Sequence, residues 1–262
     1  MHKFAFVLMA ILLTVPSHSA SGDGRTANES AKTLLAQKRF ADALPLLRDA
    51  ANVGVAEAQY NLGICYLDGI GVAADATIAN SWFERAAKQG WVGAQFTLAY
   101  SYATGRGVSK DLKLAHQWCL EAAKQDDSEC QFIVIGNYLD GHGVKKDVAA
   151  GLKWANRLGT RENPEDLTIS GRITSARLNL SRAYRQGLWG IPVDNLAAYT
   201  WLLLTNESKR DFSVKMQEEI VAEMRILEER LNEADKRRAQ KDAEALIKRK
   251  LHNFDRRLQL DL

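Results

Sequence analysis

One pattern recurs three times in this chain at a fixed spacing, and it constrains the fold more than any other feature. Each copy has an alanine-rich segment, a Gly-x-Gly-Val turn, an aspartate and then a segment with a tryptophan. The turns begin at Gly69, Gly105 and Gly141, which are 36 residues apart. A period of this length is one supersecondary unit stacked on copies of itself. It predicts a helical solenoid whose working surface is a groove rather than a catalytic pocket.

The apolar residues of each copy have helical spacing. Ala58, Leu62 and Tyr66 lie at i, i+4 and i+8, on one face of a first helix, and the later copies repeat this arrangement. The second helix presents alanines and one large indole. Small residues let two helices approach closely, while an indole fills the space between neighbouring units. We therefore predict a core position for the four tryptophans at this place, which are Trp82, Trp118, Trp154 and Trp201.

Polar residues mark where the helices of each copy begin and end. Asp75, Asp111 and Asp147 precede the second helices, where a short oxygen acceptor satisfies free backbone N–H groups. The paired glycines end the first helix and permit a positive φ in the turn. Both features predict helix pairs joined by short, ordered turns.

The full pattern resembles the Sel-1-like repeat, a relative of the tetratricopeptide repeat. The best copy runs from Ala56 to Tyr66 and, after the turn, from Trp82 to Gly90. The resemblance implies an all-α, right-handed α/α solenoid of helix pairs with a C-terminal helical cap. Four residues depart from the template: Ala99 and Ile135 replace its glycine, and Gly151 and Leu158 replace alanines.

Degraded copies extend the array to residues 29–206. An insertion at 163–175 begins with Asn-Pro, which ends a helix, and it is expected to lengthen the next first helix. The predicted units cover residues 29–54, 55–90, 91–126, 127–162 and 163–206.

The first residues resemble a targeting segment. Lys3 is followed by an apolar run from Phe4 to Val15 and then by small residues, which predicts a signal peptide over residues 1–20. No other apolar stretch approaches the roughly 18 residues that a membrane span needs. We therefore expect a periplasmic or secreted protein without stable membrane insertion.

Residues 211–262 are charged and contain neither glycine nor proline. Their apolar residues form one seam at helical spacing, consisting of Met216, Ile220, Met224, Leu227 and Leu231. The seam has two interpretations. It closes the end of the solenoid as capping helices, or it forms a coiled coil through which the protein self-associates.

Charge and cysteine content narrow the function further. A net charge of +3 is too small to indicate nucleic-acid binding. The three cysteines Cys65, Cys119 and Cys130 are an odd number. Cysteine-rich Sel-1-like proteins have disulfides near the Cys119–Cys130 junction, although they use the position of Ala123. Two alternatives are therefore open: a disulfide between Cys119 and Cys130, or three buried free thiols.

Signals for catalysis are few. His116, His142 and His252 belong to different elements and lack the spacing of metal ligands, so no metal or cofactor is expected. The sequence has no Gly-x-Ser-x-Gly elbow, no phosphate-binding loop and no Ser-x-x-Lys followed by Lys-Thr-Gly.

The candidate binding residues lie on the first helices and in two turns. The template does not require Trp91 or Trp189, and indoles dominate many interfaces. First helices are expected to line the concave face. Polar candidates on them are Gln59, Asn61, Gln95, Thr97 and Gln131.

These features predict a non-catalytic, exported adaptor that holds a protein or peptide of unknown identity in its groove, for envelope signalling or assembly. The alternative, implied by cysteine-rich Sel-1-like proteins, is a hydrolase that acts on the cell wall or on β-lactams.

Overall fold

The computed structural model describes residues 24–162, 164, 166–208 and 213–258. These residues form helices and turns and contain no strand. The predicted signal peptide, residues 1–20, lies outside the described part of the chain.

Ten helices form five consecutive pairs, each helix packed on its neighbours along the chain. The pairs are α1 (Gly24–Ala36) with α2 (Phe40–Asn52), α3 (Ala56–Asp68) with α4 (Ala76–Lys88), α5 (Val92–Thr104) with α6 (Leu112–Lys124), α7 (Ser128–Asp140) with α8 (Val148–Gly159), and α9 (Leu167–Gln186) with α10 (Asn195–Asn206). This arrangement is an α/α solenoid. The first helix of the last pair has 20 residues, where the earlier first helices have 13, as the insertion before it predicts.

Aspartates cap the second helices of the last four pairs. The side chain of Asp75 accepts hydrogen bonds from the backbone N–H groups of Thr77 and Ile78, at 2.8 and 2.9 Å. Asp111, Asp147 and Asp194 have the same role at α6, α8 and α10. The caps satisfy donors that the first helical turn leaves without partners.

The second glycine of each turn serves the contact between repeats. Gly107 has φ +72°, and a Cβ there would lie 2.5 Å from the backbone of Ala76, at the start of the preceding second helix. At Gly143 a Cβ would collide with the carbonyl group of Leu112. Only glycine combines this backbone conformation with so close an approach.

The repeat tryptophans are less deeply buried than the sequence predicts. Trp201 is 4% exposed, but Trp82, Trp118 and Trp154 are only half-buried. Trp118 packs against the apolar clusters of two neighbouring repeats, and the guanidinium of Arg85 lies 4.4 Å from the ring centre of Trp82. The prediction of a core position is therefore wrong for three of the four. Their indoles cover the junctions between repeats from the side.

Two further helices, α11 (Val214–Arg230) and α12 (Glu233–Ile247), pack on α10. The predicted seam faces inward, since Ile220, Met224 and Leu227 are buried in the same cluster as the last repeat. The segment therefore covers the end of the solenoid. Most of the apolar surface that a coiled-coil partner would use lies inside the molecule.

Candidate functional site

The three glutamines predicted to bind a partner instead join the repeats. Gln59, Gln95 and Gln131 are at most 5% exposed. Each side-chain amide donates to a carbonyl at the end of the preceding second helix, that of Ala51 (3.0 Å), Ala87 (3.2 Å) or Ala123 (3.1 Å). Helix ends leave such carbonyls without helical partners, and buried polar groups require hydrogen bonds. The binding prediction for these glutamines is therefore wrong.

The other candidates on the early repeats, Trp91, Thr97 and Asn61, are half-buried. Trp91 is half-buried, with its ring 6.3 Å from that of Tyr60. The Thr97 hydroxyl donates to the carbonyl oxygen of Gly93 at 2.8 Å, and Asn61 is half-buried. None of these three side chains lines either of the two slots described next.

An apolar opening of about 380 Å³ lies between α5 and α7, with α6 as its floor. We call it the α5–α7 slot. Three of its large apolar side chains are exposed: Tyr100 (54%), Leu112 (44%) and Ile133 (37%). Phe96, Ala99 and Cys119 complete its apolar wall, and His142 lies on its rim.

A second opening, the α7–α9 slot, lies one repeat further along the array. It has a volume of about 170 Å³. Trp189, predicted as a binding residue, contributes to its lining and has a positive φ of 55°. The other lining residues include Phe132, Gly136, Leu139, Ala155 and Leu180.

Each slot has one carboxylate, and the two differ in whether they have a partner. Glu129 of the α5–α7 slot forms an ion pair with Arg172. Asp140, at the α7–α9 slot, is exposed and has no hydrogen bond or ion pair with any described residue. An unpaired carboxylate at the mouth of an apolar slot favours a ligand with a positive charge.

The two thiols near the α5–α7 slot are buried. Cys119 and Cys130 are buried, free thiols, and the Sγ of Cys119 donates to the carbonyl oxygen of Cys130 at 3.7 Å. The neighbouring Cys119 thiol and burial raise the pKa of Cys130. Because the thiolate is the nucleophile, a raised pKa opposes covalent catalysis. Of the two alternatives that the sequence leaves open, the structure has the buried, free thiols.

The histidines do not assemble a catalytic site. His116 is 4% exposed, and burial lowers its pKa, so the neutral ring is favoured. Its Nδ1 lies 3.2 Å from the Asn137 amide, and its ring meets the edge of Tyr138. Among the described residues, no group of three His, Cys, Asp or Glu side chains is arranged to hold a metal ion. None of the described helices is long and apolar enough to span a membrane.

Comparison with known proteins agrees with the repeat pattern. The Sel1 repeat model matches residues 56–91, 92–127, 135–160 and 174–205. The chain belongs to the Sel1 repeat family. Sel1 repeat proteins are typically adaptors for protein interactions, which is consistent with a repeat scaffold here.

Two solved structures are similar to this chain to different degrees. One, a Sel1 repeat protein from Oxalobacter formigenes, is 25% identical, has a TM-score of 0.60 and covers 74% of each chain. A protective antigen with an SLR fold from uropathogenic Escherichia coli is 21% identical, with a TM-score of 0.42 over 91% of this chain and 56% of its own.

The curated relative is matched over a short segment. Chitin synthase regulatory factor 3 of Schizosaccharomyces pombe is 48% identical over 52 residues, which are 20% of this chain. The match spans 6% of that protein's length.

Proposed function

We propose that this Sel1 repeat protein is an exported, non-catalytic adaptor that binds a protein partner at the α5–α7 slot. The observation that carries the proposal is the cluster of exposed apolar side chains, Tyr100, Leu112 and Ile133, around one opening. Soluble proteins seldom expose apolar side chains together unless they bind something there. The adaptor role of the family supports a protein as the ligand.

The chemistry of the slot favours binding over catalysis. A hydrolase needs a nucleophile within reach of a base that a third group orients. Cys119 is the one thiol in the slot's lining, and its Sγ is turned to a backbone carbonyl. His142, on the rim, has no carboxylate partner among the described residues.

Export rests on the sequence of residues 1–20. If they are a signal peptide, N-terminal sequencing of the mature protein gives a start between His18 and Ser21. Recovery of intact Met1 in the soluble cytoplasmic fraction would contradict export. Within the envelope, we propose a role in signalling or assembly.

The adaptor proposal is tested by a matched pair of charge substitutions. Ile133→Asp places a charge in the slot, whereas Ile78→Asp places one on α4, where Ile78 is 40% exposed and outside both slots. Crosslinking capture from the envelope fraction should lose its specific partner with Ile133→Asp and keep it with Ile78→Asp. Exposed substitutions usually change stability by no more than about 0.5 kcal/mol, so both variants should retain the thermal midpoint.

Two results would refute the adaptor proposal. One is equal capture by both variants. The other is hydrolysis of a wall fragment or a β-lactam by the purified protein well above background, which would favour the hydrolase.

A further inference from the structure

Both slots occupy a place that the first complete repeat fills with its own side chain. The residue 36 positions after Phe83 is Cys119, and the next equivalent is Ala155. Phe83 is fully buried, whereas Cys119 and Ala155 each line a slot. The first complete repeat thus carries a phenyl ring at a place where the two later repeats have small side chains.

The neighbours of Phe83 show that the places correspond. Its ring centre lies 5.7 Å from that of Tyr60, and a Cβ on Gly63 would be 2.5 Å from Phe83 Cε1. The equivalents of Tyr60 and Gly63 are Phe96 and Ala99, and both line the α5–α7 slot. The ring of Phe83 therefore indicates what shape of side chain the later slots accept.

The volumes agree with an aromatic occupant. An apolar cavity of about 150 Å³ is large enough to bind benzene. The α7–α9 slot, at about 170 Å³, has room for one ring, and the α5–α7 slot, at about 380 Å³, has room for a larger one.

We infer that the two slots take two aromatic side chains from one extended, basic segment of a protein partner. The inference rests on the adaptor function proposed above and specifies the partner. The aromatic residues of the partner occupy, in the two later repeats, the place that the ring of Phe83 occupies in the first complete repeat. A lysine or arginine beside them complements the unpaired carboxylate of Asp140, because Arg172 already neutralises Glu129.

The distance between the slots sets the spacing of the two rings. Packed helix axes lie about 8–10 Å apart, and α7 separates the two slots. A polyproline II segment rises about 3.1 Å per residue with three residues per turn, so side chains at i and i+3 point the same way about 9 Å apart. We expect aromatic residues three positions apart in the partner.

Two synthetic peptides of equal composition test this spacing. Acetyl-Phe-Pro-Pro-Phe-Lys-amide has its rings three residues apart, and acetyl-Phe-Pro-Phe-Pro-Lys-amide has them two apart. Titration calorimetry should give an affinity for the first peptide about tenfold or more above that for the second, as expected for one additional buried ring. Equal affinities, or no binding of the first peptide at millimolar concentration, would overturn the inference.

Protein variants test whether the rings enter the slots. The triple variant A99G/C119F/C130A places the side chains of Gly63, Phe83 and Ala94 at the positions 36 residues later and fills the α5–α7 slot. Its matched control, A99G/C119A/C130A, leaves the slot open. The filled variant should bind the first peptide about tenfold or more weakly than the open control. Equal binding by the two would overturn the inference.

The α7–α9 slot provides a second, independent variant. A Cβ on Gly136 meets no atom within 4 Å, so Gly136→Leu adds a side chain to open space. It also replaces glycine inside a helix, which favours folding. Gly136→Leu should likewise lower the affinity for the first peptide about tenfold. The inference therefore stays testable even if the triple variant fails to fold. If this variant binds the first peptide with unchanged affinity, no ring enters the α7–α9 slot and the inference is overturned.

Capture of the natural partner separates this inference from the adaptor proposal. If Ile133→Asp abolishes capture while the filled triple variant retains it, the adaptor proposal stands and the aromatic occupant is wrong. If Ile133→Asp leaves capture intact, the adaptor proposal itself fails.

Discussion

The junctions between the early repeats and the junction before the last helix pair use the same position with different chemistry. The early junctions have a buried glutamine that donates to the end of the preceding second helix, as Gln95 does to Ala87. The equivalent residue of the last pair is Arg177, which is 3% exposed. Its guanidinium donates to the carbonyl oxygens of Gly159 (2.7 Å), Leu204 (3.0 Å) and Arg161 (2.8 Å).

Among the described residues, the buried charge of the array lies at its C-terminal end. A glutamine amide joins one helix end to the next helix without any desolvated charge. Arg177 joins the ends of α8 and α10, where the helix dipoles favour a cation. Burial nevertheless lowers its pKa to about 10, which indicates a cost of desolvation.

A buried carboxylate at the end of α10 holds the cap to this charged end. The side chain of Glu207 is 3% exposed and accepts hydrogen bonds from Arg249 and from the backbone N–H groups of His252 and Asn253. These bonds attach the segment after α12 to the end of α10. Buried charge therefore fixes the cap, whereas the neutral amides fix the repeats.

The largest expected effect is at Arg177. Arg177→Met removes the donors of three carbonyls, and since each buried group left without a partner costs about 1–3 kcal/mol, we expect a loss of about 3–5 kcal/mol in unfolding free energy. Arg177→Gln, which copies the early junctions, should lose less because its amide can still reach Gly159. Urea denaturation measures both. Equal losses for the two variants would show that the extra bonds of the guanidinium do not stabilise the last pair.

The next effect is at a neutral junction. Gln95→Leu removes the side-chain donor of the Ala87 carbonyl oxygen, which keeps its hydrogen bond from the Gly90 N–H, and should lower the unfolding free energy by about 0.5–1.5 kcal/mol. Gln125 donates to Gln95 from an exposed position, so Gln125→Ala should cost no more than about 0.5 kcal/mol. A stable Gln95→Leu variant that loses its partner would restore Gln95 as a binding residue.

The smallest expected effect is on the pH dependence of stability, at His116 in the repeats joined by neutral amides. Burial lowers the pKa of His116, so the folded state favours its neutral form. Its contribution to stability is complete above the unfolded pKa of about 6.5 and is lost as the pH falls through the lower folded pKa.

His116→Asn places there the residue found at the equivalent position of the preceding repeat, Asn80. Between pH 7 and pH 5, thermal unfolding should show a smaller loss of stability for this variant than for the unchanged protein. Parallel curves for the two would assign the acid sensitivity to other groups.

Sequence reasoning recovered the helices better than the site. Helix pairs, aspartate caps and the lengthened α9 follow from local spacing and from backbone donors within one turn. Helical spacing alone places the glutamines on the concave face, because it shows the face of a residue without showing what packs on it. Their recurrence in three copies with the 36-residue period is the signal that points to a structural role.

The tryptophans failed as core predictions for a related reason. A repeated large residue marks a junction between units, but its depth depends on what lies beside it. Trp82 lies at the edge of the cluster between the first two helix pairs, with Arg85 over its ring, whereas Phe83 is buried in the next cluster.

The sequence by itself determined the α/α solenoid, its helix pairs and the turns between them, because each depends on residues within a few positions of one another. Only the tertiary structure decided where the array stays open. The α5–α7 slot exists because Cys119 meets Ala99 across two helices where Phe83 meets Gly63 one repeat earlier. Whether small side chains leave a cavity or let the helices close depends on the packing of every neighbouring helix, which no local pattern records.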